Sequence, residues 1–302
     1  MRELIANGVR IDDTFAEAFG MRATALVVTA DSAHWARQAA ATMTGFATSV
    51  IGCGCEGGID RELGEKETPD RRPGVRVLLF AVSTGELQKQ VAARVGQCVL
   101  TSPGSACYAG FDGEERLKLG NALRYFGDGW QISKRFGGKH YWRIPVLDGE
   151  FLCEATTGLT KQAVGGGNLL IMGESVRATL AAAESAVKAI ARVPDVITPF
   201  PGGIARSGSK VGSKYKNVRA STNDAYCPTL KGAVNSALDP NVASVLEIVI
   251  DGLTPEAVAA AMAAGLAAIV KLGPRRGALR VGAGNYGGKL GPHHFYLKDL
   301  LP

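Results

Sequence analysis

At 302 residues, 46% hydrophobic and 21% charged, the chain is long enough for two modest domains or one large one with buried cores, and it needs no disulfides to hold them. The longest apolar stretch, 257–270, is mostly alanine between Glu256 and Lys271, too short and too weakly hydrophobic to span a bilayer, so no membrane contact is expected. The net charge of +6 comes from dispersed lysines and arginines, a balance that anionic small-molecule substrates explain as well as nucleic acid does.

From 23 to 101 the pattern reads strand 25–30, helix 32–43, strand 47–51, an insertion over 52–74, strand 75–82, helix 84–95 and strand 98–101. Asp31 or Ser32 suits the first helix as a cap, Gly45 ends it, and Thr84 suits the second. The middle, 117–167, holds short β-like pieces and turns, among them 125–129 and 135–145, that connect one half to the other. From Asn168 the same order returns: strand 169–174, helix 177–193, strand 196–198, an insertion, strand 245–251, helix 255–271 and strand 278–283. Ser175 caps one of these helices, and Thr254 followed by Pro255 opens the other. The expected class is therefore α+β: two ferredoxin-like split βαβ lobes per chain, internally duplicated. The N-terminal lobe with its connecting strands takes 1–149 and the C-terminal lobe 150–302.

Two polar, glycine-studded runs interrupt this regular pattern. The first spans 198–229 and contains Gly202-Gly203, Ser207-Gly-Ser-Lys210 and Lys214; the second is Gly282-Ala-Gly-Asn-Tyr-Gly-Gly-Lys-Leu-Gly291. Loops so rich in backbone N–H groups, hydroxyls and lysines read as one binding site. Gly282 to Gly287 matches G-x-G-x-x-G, but a dinucleotide site needs a helix beginning within the glycines, and Gly291-Pro292 follows instead. The first run lacks the Gly-Lys-Ser/Thr ending of a P-loop. Its lysines, like Lys289, meet a substrate carboxylate or phosphate or are merely solvated.

Cys53-Gly-Cys55 has no partner at zinc-site spacing, and His34, His140, His293 and His294 are unpartnered in sequence; no metal site is expected. The cysteines, Cys98, Cys107, Cys153 and Cys227 included, are scattered, and Met1 to Arg10 carries charge without an apolar core. Reduced thiols in a cytoplasmic protein without a signal peptide follow. Cys227 is the thiol inside a polar motif, and with no basic partner nearby it reads as structural before catalytic. Glu247 interrupts the apolar strand Val245-Leu-Glu-Ile-Val-Ile250. Either apolar neighbours desolvate its carboxyl, raise its pKa and make it a proton donor near neutral pH, or it stands at a sheet edge and reaches water.

Several long motifs in one order closely resemble the formylmethanofuran:tetrahydromethanopterin formyltransferases. They are Asp12-Asp-Thr-Phe-Ala-Glu-Ala-Phe19, 44–51, Glu67-Thr-Pro-Asp-Arg-Arg-Pro-Gly-Val75, 95–98, Arg124-Tyr-Phe-Gly-Asp-Gly129, 198–214, 220–229 and 282–291. The likeness runs from about residue 8 to 300. It implies reversible formyl transfer between the amine of methanofuran and nitrogen 5 of tetrahydromethanopterin, with both carriers as substrates and no tightly bound cofactor or metal. It also implies two ferredoxin-like lobes per subunit and a homo-oligomer, commonly a tetramer.

Glu247 corresponds to the strand glutamate proposed as general acid in that family. Backbone N–H groups of the glycine-rich loops suit the oxyanion hole. Ser209, Lys210, Lys214, Thr222, Asn223, Tyr226, Asn285 and Lys289 are the expected substrate contacts, by membership of the motifs. The basic charge, Cys53-Gly-Cys55 and the altered 293–298 segment depart from the archaeal pattern and point to a bacterial, methylotroph-type version. There the resembling chain is a subunit of a formyltransferase/hydrolase complex, which leaves a second reading: a non-catalytic pterin-binding or scaffolding subunit.

Overall fold

The computed structural model describes residues 4–113, 115–289 and 291–301; residues 1–3 of the charged N-terminal stretch and Leu290 of the second glycine-rich run lie outside them. In chain order the backbone forms β1 (Leu4–Ala6), β2 (Val9–Ile11) and the long β3 (Phe15–Thr29). Ser32 then starts α1 (Ala33–Thr44): its hydroxyl accepts from the Trp35 N–H, and Ala36, Ala39, Ala40 and Met43 line one buried face. A single turn, α2 (Val50–Cys53), leads into β4 (Glu56–Leu63), β5 (Gly74–Ala81), α3 (Thr84–Arg94), β6 (Ala106–Ala109) and β7 (Glu115–Lys118). Then come α4 (Gly120–Leu123), β8 (Ile132–Phe136), β9 (Lys139–Val146), β10 (Gly149–Glu154) and a second long strand, β11 (Thr156–Gly173). After α5 (Val176–Ile190) and β12 (Val196–Ile197) the chain makes a small hairpin, β13 (Ser209–Val211) and β14 (Ala220–Thr222). It ends in β15 (Ser244–Gly252), α6 (Pro255–Leu272), β16 (Arg280–Gly282) and β17 (His293–Tyr296).

Two compact units result: Met21–Ala163, and the residues up to Gly20 together with those from Val164 on. In the first, the strands lie in the order β4–β5–β3–β6, all antiparallel, with Arg22 opposite Ala81 and Leu26 opposite Ala109. Numbered within one βαββαβ repeat this is the order 4-1-3-2 from β6, the ferredoxin-like arrangement. The second repeats it as β16–β11–β15–β12, with Leu170 opposite both Gly282 and Glu247. The class is α+β with a duplicated ferredoxin-like lobe. The units cut the chain differently from the boundary at 149/150, because ladders distant in sequence decide membership: β2 runs parallel to β16, and β10 pairs with β6 and β9.

Each unit buries its own core. One gathers Leu26, Val28, Val77, Leu79, Leu87 and Val91; the other gathers Leu169, Ile171, Ile248, Ile250, Leu266 and Ile269. Burying each such side chain contributes roughly 1.5–3 kcal/mol. α6 is long and apolar enough to cross a bilayer by length and composition, yet Val258, Ala261, Met262, Leu266 and Ile269 of it are buried in this core. At Gly265 a Cβ would come within 3.0 Å of the Ile190 Cδ1, which is how closely α5 and α6 approach.

Two expected strands move. Residues 47–51 hold no strand: Ser49 caps α2, its hydroxyl accepting from the Ile51 N–H, and left-handed Gly54 turns the chain into β4. β4 begins Glu-Gly-Gly, where a Cβ on Gly57 would meet Leu79 Cδ2 at 2.8 Å, so the glycine that looks like a loop marker is what lets the strand pack. Residues 98–101 are not a strand either; α3 runs on into a π-helical turn, Val95–Val99, that buries Val95 and Val99, and the strand comes later as β6. Ser83, not Thr84, caps α3 by accepting from the Glu86 N–H.

Candidate active site

Glu247 sits in the middle of β15. Its main chain is paired on both sides, in register with Leu170 of β11 and, through N–H to O at 2.9 Å and O from N–H at 2.8 Å, with Ala205. It is therefore not at a sheet edge. Ile248 and Ile250 turn toward the helices and are fully buried. The alternate residues, Val245, Glu247 and Val249, share the opposite face, where Leu170, Met172, Val242 and Tyr226 gather. Glu247 lines a 40 Å³ slot with Leu170, Arg206, Ser207, Asn223 and Tyr226, room for about one small group. Burial pushes its carboxyl up to about 7, so near neutral pH it holds a proton it can give away.

The first glycine-rich run does not stay a loop. A 3₁₀ turn, Pro201–Gly203, brings Ala205 onto β15, the β13–β14 hairpin places Ser209 opposite Thr222, and the 3₁₀ turn Asp224–Tyr226 folds the end back. Asn223 and Tyr226 thereby reach the Glu247 slot. Lys210, Lys214 and Thr222 instead line a neighbouring 500 Å³ cleft with Tyr215 and Asp224, a volume in the range of small-molecule sites. Lys210 is held there by Asp224 at 2.6 Å, and its ammonium lowers the pKa of that carboxyl. Ser209 and Lys214 are exposed. Cys227 touches Thr222 Oγ1 and the Asn223 carbonyl at 3.4 Å.

The second run is docked by side chains outside it. Asn168 on β11 accepts from the Gly284 N–H at 2.6 Å and donates to its carbonyl at 3.2 Å. Glu17 on β3 accepts from the N–H groups of Tyr286, Gly288 and Gly291. Asn285 is exposed, donates to Thr14 Oγ1 at 2.9 Å and accepts from the Gly287 N–H; Lys289 is exposed. Neither lines the Glu247 slot, but Tyr286 is close enough that burial and the Glu247 and Glu17 carboxylates raise its phenol pKa. Most of the run's N–H groups are thus spent inward, which removes them from an oxyanion hole. Among the described residues no three of His, Cys, Asp or Glu cluster as a metal site would need.

Comparison with known proteins decides the family. A profile described as "Formylmethanofuran-tetrahydromethanopterin formyltransferase" matches residues 4–146, and one described as "FTR, proximal lobe" matches 149–300. The chain belongs to this formyltransferase family. It is 62% identical over 298 residues to the formylmethanofuran–tetrahydromethanopterin formyltransferase of Methylococcus capsulatus, covering 99% of this chain and 100% of that one. The crystal structure of the formyltransferase/hydrolase complex from Methylorubrum extorquens with methylofuran contains a chain that superposes with a TM-score of 0.98 at 56% identity, covering 100% of this chain and 99% of that one. The enzyme of Methanosarcina barkeri gives 0.92 at 43%, covering 98% and 100%.

For a formyltransferase, the residues that sequence patterning passed over matter as much as those it singled out. Arg206 and Ser207 line the Glu247 slot, and Glu17 and Asn168 hold the second run, Tyr286 within it. Glu17 carried the same signal as Glu247, a carboxylate inside an apolar strand, here Phe15-Ala-Glu-Ala-Phe19.

Proposed function

We propose that this formyltransferase moves the formyl group reversibly between the amine of methanofuran and nitrogen 5 of tetrahydromethanopterin by direct attack in a ternary complex. The attacking nitrogen adds to the formyl carbon and gives up its N–H proton, a tetrahedral oxyanion forms, and its collapse breaks the other C–N bond as the leaving nitrogen takes a proton. The observation that carries the mechanism is Glu247: a carboxyl raised to about 7, opening into a slot under the first glycine-rich run. It is the acid that protonates the leaving nitrogen. With the N–H groups of Gly284, Tyr286, Gly288 and Gly291 taken by Asn168 and Glu17, the 206–208 segment supplies the oxyanion donors.

Ser209, Lys210, Lys214 and Thr222 around the larger cleft, Asn223 and Tyr226 at the slot, and Asn285 and Lys289 on the second run are the proposed substrate contacts. Much of the acceleration then comes from holding two flexible carriers in register. The chain acts in the cytoplasm as a homotetramer, with no tightly bound cofactor, in a methylotrophic metabolism. The Methylorubrum relative, crystallised within a formyltransferase/hydrolase complex with methylofuran, supports hydrolase-complex subunits as partners and methanofuran as a substrate.

The test is formyl exchange by the purified chain, mixing formylmethanofuran with tetrahydromethanopterin. Turnover is expected, and Glu247→Gln should lower kcat ~10²-fold or more with little change in KM; unchanged kcat removes Glu247 from the chemistry. Tight pterin binding without turnover would favour a non-catalytic subunit.

A further inference from the structure

Glu17 is 1% exposed, and the proposed mechanism gives it no part. Its Oε1 accepts from the Gly291 N–H at 2.8 Å, and its Oε2 accepts from the N–H groups of Tyr286 at 2.7 Å and Gly288 at 2.9 Å. Its own N–H donates to the Gly284 carbonyl at 3.2 Å. Converging backbone N–H groups of this kind ordinarily cradle an external anion; here the anion is the protein's own side chain. The turn depends on glycine. Gly287 and Gly288 have φ of +81° and +71°, and a Cβ on Gly291 would lie 2.1 Å from the Ala18 carbonyl oxygen.

The clamp is close to the acid. Across β11 and β15, Asn168 is opposite Val249 and Leu170 opposite Glu247. Asn168, which grips Gly284, is thus one same-face step from Glu247's row, about 7 Å. Tyr286 comes two residues after Gly284, outside the slot's own lining; burial first, then the Glu247 and Glu17 carboxyls, push its phenol pKa up.

We infer that Glu17 is a positioning residue for formyl transfer: with Asn168 it holds the second glycine-rich run, Tyr286 included, over the β11 row beside Glu247 and so keeps water from its carboxyl. The inference rests on Glu247 being the acid. Among the described residues, the other charged or titratable groups facing Glu247 are Arg206 from the first run and Tyr226 and Cys227 from the turn after β14; β11 contributes only Leu170. Without the clamp, water returns and the carboxyl gives up its proton at lower pH. In Glu17→Gln an amide NH₂ replaces one accepting oxygen and faces a backbone N–H, which opens the run.

The experiment is the pH dependence of kcat for formyl exchange in the wild type, Glu17→Gln, Tyr286→Ala and Glu247→Gln. Wild-type kcat is expected to fall as pH rises through about 7. In Glu17→Gln and in Tyr286→Ala the midpoint should move down by about one unit, and the Glu17→Gln/Tyr286→Ala double variant should move no further than Tyr286→Ala alone. A loss of folded protein lowers the amplitude without moving the midpoint. A wild-type midpoint retained in Glu17→Gln overturns the inference. If that variant does not fold, an unmoved midpoint in Tyr286→Ala overturns it equally. A wild type with no descending limb, or a limb that survives Glu247→Gln, sinks the acid role itself and this inference with it.

Discussion

Glu247 carries a cost that the proposed acid chemistry requires. A carboxyl raised from the ordinary range to about 7 binds a proton in the native state that the unfolded chain has already released. The contribution has a definite sign: native stability is greatest below the unfolded pKa, falls as pH climbs toward 7, and stays reduced above it. Glu247→Gln keeps the shape and removes the titration. It should be more stable than the wild type at pH 8 by up to about 3 kcal/mol, with the difference vanishing near pH 4. Denaturant unfolding at the two pH values checks this, and equal differences at both would show that the carboxyl is not raised. Loss of turnover with a gain in stability separates an acid held in place for function from a residue held for packing.

At the level of elements, the helices were readable because their signals are local. Ser32, Ser175 and Thr254 each cap as their position implied, with the hydroxyl accepting from an N–H three residues on. Thr254→Ala should therefore cost about 1 kcal/mol of stability while leaving kcat unchanged; a thermal melt beside the exchange assay tests both halves. The strands were less readable. β4 carries Gly57, which close approach to Leu79 explains, and the π-helical turn after α3 has valines that suit a strand as well as a helix. The first glycine-rich run resembles an unstructured loop by composition, yet it forms a paired hairpin and three 3₁₀ turns. Composition predicts where the chain bends but not which backbone groups find each other.

For the whole molecule, the family profiles cover nearly the entire chain and meet between residues 146 and 149, while the compact units exchange the first twenty residues and the stretch 150–163. Strand pairing, in particular β2 against β16, recruits the start of the chain to its end. The assembly proposed for the enzyme is testable directly. Sedimentation velocity of the purified chain should give a particle of about four times 31.5 kDa, and a sole species of monomer size would rule the homotetramer out.

The repeated βαβ order, the caps at Ser32, Ser175 and Thr254 and the glutamate lodged in an apolar strand were determined by sequence alone, because each depends on neighbours a few residues away. Tertiary structure decided what those features mean together. Pairing with Leu170 and Ala205, both far outside its own strand in sequence, set Glu247 inside the sheet rather than at its edge. Glu17 and Asn168, more than a hundred residues from the run they grip, turned several of its N–H groups inward. Burial, register and the direction of a hydrogen bond are properties of pairs, and no local pattern records which pairs will form.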